Sequence, residues 1–176
     1  ISLEDKAGSV AVKVYTNKQT SANFIGDCDW AEIKTSSINA DGEFVVEYLA
    51  NSSYPRHAKI EFVTPTRRDT CVLLQNGKLK EEFNINKYVI TSYDAQPEEV
   101  VVSIESHNQE YSHSVRYISG YGWMKVTRNA GKLTIEPSVN EDGGTREAEI
   151  QVSWADGWGR LQQKTIVFRQ AASGQT

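Results

Sequence analysis

The feature that most constrains this chain is an internal repeat: the anchor residues of its first half recur, in the same order, in its second half. Val10-Ala-Val-Lys-Val14 matches Val100-Val-Val-Ser-Ile104, Trp30 matches Trp123, and Asn51 matches Asn140. Arg56 then matches Arg146, Ala58-Lys-Ile60 matches Ala148-Glu-Ile150, and Val72-Leu-Leu-Gln75 matches Val167-Phe-Arg-Gln170. The paired positions are separated by 90 residues for Val10, 93 for Trp30, 89 for Asn51, 90 for Arg56 and 95 for Gln75. Small drift with preserved order is what insertions in surface loops produce. The 176 residues are therefore expected to form two modules of similar size, each long enough to bury a core of its own.

The break is expected in the polar stretch Asn76-Gly-Lys-Leu-Lys-Glu-Glu82, which opens on an Asn-Gly turn signal. This gives modules at 1–78 and 79–176. So short a linker predicts an elongated pair with restricted bending. Ile1-Ser-Leu-Glu-Asp5 is similar to Ile90-Thr-Ser-Tyr-Asp94, whereas Phe83 to Val89 have no counterpart ahead of Ile1. The first module is thus expected to lack part of an opening strand.

Within each half the pattern is all-β. Val10–Val14, Glu43–Tyr48, Lys59–Val63 and Glu147–Val152 alternate with period two and are rich in β-branched and aromatic residues. Turn sequences separate them: Asn39-Ala-Asp-Gly42, Asn51-Ser-Ser-Tyr-Pro55, Asn129-Ala-Gly131, Glu141-Asp-Gly-Gly144 and Ala155-Asp-Gly157. No segment keeps a helical period. Many short strands in modules of this size predict an all-β fold, two immunoglobulin-like β-sandwich domains in tandem.

Charge removes some functions from consideration. A net charge of −4, from 19 basic and 23 acidic side chains, offers no basic field to attract nucleic acid or anionic lipid. No apolar run approaches the roughly 20 residues that a membrane-spanning helix needs. The only methionine is Met124, so a processed or excised chain is expected. The two cysteines, Cys28 and Cys71, lie in the first half. They are compatible with a disulfide across a sandwich or with two small buried thiols; the alignment of Cys71 with Ile166 favours the thiols.

The ordered set Trp30, Asn51, Arg56 and Gln75, followed by Trp123, Asn140, Arg146 and Gln170, resembles the BACON domain (Bacteroidetes-associated carbohydrate-binding, often N-terminal). The resemblance covers about residues 8–78 and 98–172. It implies an immunoglobulin-like fold in an exported, often lipid-anchored protein at the surface or in the periplasm of a Gram-negative bacterium. It also implies the company of glycan-degrading or glycan-binding domains. The residues themselves point first to structure: a Trp recurring beside a strand reads as a core filler, the Asn–Arg pair as a clasp on a loop, and Gln75 and Gln170 as strand ends bonded to neighbouring backbone.

A sugar site needs a flat aromatic face and planar polar groups. The best local match is Trp154-Ala-Asp-Gly-Trp-Gly-Arg160, where an Asp-Gly turn is expected to lift Trp158 to a loop tip beside Asp156 and Arg160, with Trp154 close by. The first module has Thr64-Pro-Thr-Arg-Arg-Asp69 at that place. Tyr111, Tyr117 and Tyr121, near His107 and His113, read as structural. His57, His107 and His113 are too scattered for a zinc signature, and Asp27, Asp29, Asn39, Asp41, Glu141 and Asp142 follow no EF-hand spacing. No nucleophile elbow or phosphate loop is present. The expectation is a chain with no cofactor and no catalytic role: a glycan-binding module or rigid spacer beside further domains, or alternatively a protein-recognition or adhesin module.

Overall fold

In a computed structural model the described residues are 1–93, 95, 98–107 and 110–172. The chain divides into two compact units, Ile1–Lys80 with Gly157–Gly159, and Glu81–Asp156 with the chain from Arg160 onward. The division at Lys80 falls two residues beyond the break read from the sequence. All regular elements among the described residues are strands.

The first unit contains β1 (Ser2–Leu3), β2 (Gly8–Val14), β3 (Thr20–Ile25), β4 (Ala31–Ile33), β5 (Ser37–Ile38), β6 (Gly42–Tyr48), β7 (Arg56–Val63) and β8 (Arg68–Gln75). They form one sheet in the order β1-β8-β7-β3-β5 and another in the order β2-β6-β4. Alternation decides which side chains meet between the sheets. Val12, Phe44 and Val46 from the smaller sheet pack with Ile60, Phe62 and Leu73 from the larger one, and Phe44 and Phe62 place their ring centroids 5.4 Å apart. Each fully buried aliphatic or aromatic side chain contributes about 2 kcal/mol by leaving water, so this alternation is what fixes the strand faces.

The second unit contains β9 (Phe83–Ile85), β10 (Val89–Ser92), β11 (Val100–Ser106), β12 (Ser112–Tyr117), β13 (Met124–Asn129), β14 (Lys132–Pro137), β15 (Arg146–Ala155) and β16 (Leu161–Gln170). Its sheets run β10-β16-β15-β12 and β13-β14-β11-β9. Val102, Ile104, Leu133 and Ile135 face Ala148, Ile150, Val152, Ile166 and Phe168 in a separate core. Both units are immunoglobulin-like β-sandwiches.

Register makes the repeat exact enough to transfer positions. Parallel pairing puts Leu3 opposite Gln75 in the first unit and Ser92 opposite Gln170 in the second, so β1 corresponds to β10. Antiparallel pairing sets Ile60 against Cys71 and Ile150 against Ile166, and Val12 against Phe44 as Val102 against Leu133. Two elements break the correspondence. The first unit adds β5 beside β3, and the second adds β9 beside β11, leaving β2 as the edge strand where β11 is covered. Asp94, the last residue of the opening-strand comparison, lies outside the described residues.

Candidate functional site

Each unit is closed at one end by the same polar corner. Arg146 is buried, and its Nε and Nη2 donate to Gln170 Oε1 at 3.1 and 3.0 Å while Nη2 also reaches Ser138 O and Val139 O. Gln170 Nε2 donates to Ala95 O and Ser138 O. Asn140 Nδ2 donates to Gly144 O, Gln170 O and Ala171 O, and its Oδ1 accepts from Asp142 N. In the first unit Arg56 Nε donates to Gln75 Oε1 at 2.8 Å and Arg56 Nη2 to Leu49 O and Ala50 O. Gln75 Nε2 donates to Glu4 O and Leu49 O, and Asn51 Nδ2 to Tyr54 O and Asn76 O. Burial pulls both guanidinium groups below their usual value, with Asp29 opposing the shift at Arg56 and Asp142 opposing it at Arg146. Buried guanidinium is tolerated here because nearly every donor has a carbonyl to meet. The clasp and the core Trp read from the sequence are what the structure contains: Trp30 is 7% and Trp123 4% exposed.

The residues expected to hold a ligand are placed differently from one another. Asp156 and Arg160 do come together, but as the two sides of a turn: Asp156 N donates to Arg160 O, and Arg160 N donates to Asp156 Oδ1. Asp156 Oδ2 accepts from Gln162 Nε2. Trp154 turns to its own core, where its ring stacks on Phe83 at 3.8 Å with the planes 4° apart. Trp158 is half-buried and groups with the first unit, its Nε1 donating to Gln75 O at 3.1 Å. The Asp-Gly turn was legible; the direction of the two rings was not.

The widest cleft at the pole remote from the corner lies in the first unit, and sequence reading overlooked it. About 560 Å³ is enclosed between the end of β2 and the β7–β8 turn. Val12, Val14, Phe62 and Cys71 form its apolar floor, and Thr16, Thr20, Thr64 and Asp69 its walls. Tyr15 stands on the rim at 80% exposure, with Asn17, Lys18 and Arg67 nearby. Arg67 pairs with Asp69 at 3.0 Å, and Lys18 Nζ donates to Thr66 Oγ1. The register transfers these positions to the second unit. Thr16 corresponds to Ser106, Thr20 to Tyr111, Thr64 to Trp154 and Asp69 to Lys164. In the second unit those very positions surround Phe83: Ser106 pairs with it, Tyr111 meets it edge-on at 5.9 Å, Trp154 stacks on it, and Lys164 Nζ donates to its carbonyl at 2.6 Å. The signal that could have found the cleft was in the repeat: threonines stand where the second half has Tyr and Trp, and Phe83 has no partner ahead of Ile1.

Other expected features resolve plainly. Cys28 and Cys71 are free thiols half-buried against the first core, and burial pushes the Cys71 thiol up, against the pull of the N-terminal ammonium. Tyr111 is buried and Tyr117 half-buried, but Tyr121 is 91% exposed and leaves the structural reading of that trio incomplete. His113 and His57 accept or donate to backbone carbonyls, and His107 lies 3.5 Å from Glu81. Asp41 Oδ1 accepts from Thr16 N as a turn partner. Among the described residues no group of three His, Cys, Asp or Glu side chains is arranged to hold a metal ion, and no helix is long and apolar enough to cross a membrane.

No family model and no curated protein matches this chain. Among solved structures it is similar to a Bacteroides thetaiotaomicron protein determined by NMR, at 14% identity and TM-score 0.41 over 53% of this chain and 89% of that one. It is also similar to the titin I-band fragment I67–I69, at 8% identity and TM-score 0.42 over 98% of this chain and 62% of that one. A third is the mouse protocadherin PcdhgC3 EC1–3 fragment, at 10% and 0.40 over 98% and 64%. This chain spans less than two thirds of the titin and protocadherin fragments, and the strand order and register above are what establish the sandwich.

Proposed function

We propose that this chain is a non-catalytic recognition segment of a larger exported protein, built from two BACON-like modules, and that the pole of the first module makes the contact. One observation carries this reading: the corner is the same in both units, while the poles differ. A side-chain network repeated bond for bond in two modules serves the fold they share. A property that belongs to one module lies where they diverge, and that place is the 560 Å³ cleft. The resemblance of the anchors to the BACON family supports export, a lipid anchor upstream and a glycan-rich setting at a Gram-negative cell surface.

A second reading, direct glycan contact, is favoured by the chemistry of the rim. Tyr15 offers an exposed ring, and Asn17 and Asp69 offer planar amide and carboxylate groups, the combination that pyranose hydroxyls and apolar sugar faces require. Affinity electrophoresis through plant and mucin polysaccharides, together with titration of extended peptides, tests the shared claim. Binding of either class that is lost in Thr64→Trp supports recognition at this pole. Binding of neither, or binding indifferent to that substitution, leaves a spacer and overturns the proposal.

A further inference from the structure

Resting on the reading of that pole as a contact surface, we infer that the cleft and the adjoining edge of β2 accept an extended segment of a second polypeptide, added antiparallel to β2. The segment carries an aromatic residue followed two positions later by an aliphatic one, with acidic residues ahead of the pair.

The second unit supplies the template. There the segment Phe83-Asn84-Ile85 lies antiparallel on β11, with Ile85 opposite Ile104 and Phe83 opposite Ser106. Both apolar side chains go inward, Phe83 to 6% and Ile85 to 5% exposure, while Asn84 faces out. The equivalent positions on β2 and its continuation are Val14 and Thr16. Among the described residues β2 pairs only with β6, so one edge of its backbone presents donors and acceptors to an incoming strand. The side chains that enclose Phe83 are replaced by smaller ones, Tyr111 by Thr20 and Trp154 by Thr64. The space thereby opened lies at the position equivalent to the Phe83 ring.

Charge selects among strands. Lys13, Lys18 and Arg67 line the first unit's cleft against the single acid Asp69, which Arg67 already neutralises. The template strand is preceded by Glu81 and Glu82. A segment of the same pattern thus brings negative charge to a basic rim, which favours its approach and fixes its direction. Main-chain bonds to β2 would supply affinity, and the ring in the threonine-walled cleft would supply selectivity.

The experiment titrates a synthetic peptide with the sequence of Lys80–Lys87 into the intact 176-residue chain, following backbone amide shifts by NMR. Saturable shifts centred on Val12, Val14, Tyr15 and Thr64 are expected, with antiparallel contacts between peptide and β2. Replacing the peptide's Phe by Ala should weaken binding by about tenfold or more. On the protein side, Thr20→Tyr and Thr64→Trp restore the bulk found in the second unit and should each block the peptide. Thr64→Trp and the peptide variant keep the test decisive if Thr20→Tyr, at a buried site, does not fold. Absence of saturation, shifts located elsewhere, or equal binding by the Ala peptide would overturn the inference. If a polysaccharide binds in a Thr64→Trp-sensitive way while the peptide does not, recognition at this pole stands and strand addition falls.

Discussion

The guanidinium carbon of Arg146 lies 4.4 Å from the centroid of the Trp123 ring, so the residue that clasps the corner also covers the indole in the core. Arg56 holds the same position over Trp30 at 4.6 Å. Planar guanidinium satisfies both demands at once, stacking with its face and donating along its edge.

Arg146→Lys tests that double role. An ammonium keeps the charge but cannot donate in a fork to Gln170 Oε1 and the carbonyls of Ser138 and Val139, and it leaves the indole face bare. Loss of about 3 kcal/mol of stability is expected, the range for leaving buried polar partners unmet. Arg56→Lys, at a half-buried position, should cost less. Urea unfolding of the two variants beside the parent measures both, and equal costs would contradict the burial argument.

Gly77 is required by space. A Cβ there would come within 2.1 Å of Ser53 O and 2.6 Å of Tyr54 C, and both are backbone atoms tied to the corner through Asn51, which accepts from Ser53 N and donates to Tyr54 O. Gly77→Ala must therefore displace the loop that Asn51 organises. A loss of about 2 kcal/mol or more follows from overpacking against backbone, read as a lower thermal midpoint. An unchanged midpoint would show that the loop yields freely.

Ala130 offers the opposite case. It sits in the two-residue connection between β13 and β14 with φ of 49°, a region where a Cβ costs about 1–2 kcal/mol. Ala130→Gly removes that Cβ while leaving the carbonyl that accepts from Tyr111 Oη at 2.6 Å. A net gain of roughly 0.5–1 kcal/mol is expected once the greater freedom of unfolded glycine is counted, and chemical denaturation would detect it. A loss would mean that the methyl group packs usefully.

Strand periodicity, the corner residues and the buried indoles were all legible in the sequence, because alternation and repeated anchors report local and duplicated constraints. The cleft was not. It depends on which residue faces Thr20 or Thr64 across the sheets, and on whether a strand such as Phe83–Ile85 covers the neighbouring edge; both are questions of register. Trp154 illustrates the same limit. A Trp two residues ahead of an Asp-Gly turn looks available to solvent, yet strand alternation and the presence of Phe83 turn its face inward.

Alkaline pH should weaken the fold through two buried acids. Burial raises the Cys71 thiol above its ordinary 9.0 and the Tyr111 phenol above its ordinary 10.0, with Arg128 opposing the second shift. Both groups are neutral in the folded chain, whereas in the unfolded chain they ionise at their ordinary values. Their neutral-state contribution is therefore complete below pH 9.0 and declines as pH rises through that value and then through 10.0. Urea unfolding at neutral pH and on the alkaline side should show this fall, and Cys71→Ser together with Tyr111→Phe should flatten it. A slope unchanged in the double variant would assign the effect to other groups.

Phe83→Ala asks whether the pole of the second module can be converted toward that of the first. The substitution removes the ring that stacks on Trp154 and meets Tyr111 edge-on, and cavity formation of this kind costs about 3–5 kcal/mol. The backbone of β9 keeps its pairing with β11, so the loss should appear as lower stability and altered Trp154 fluorescence rather than as a change in strand content. The threonines of the first pole differ in one respect, since Tyr111 and Trp154 remain large and can lean into the space. Adding Tyr111→Thr and Trp154→Thr to Phe83→Ala should enlarge the opening and admit small aromatic probes such as indole or toluene. If neither variant binds such a probe while the first module does, the difference between the poles lies in the covering strand rather than in side-chain volume.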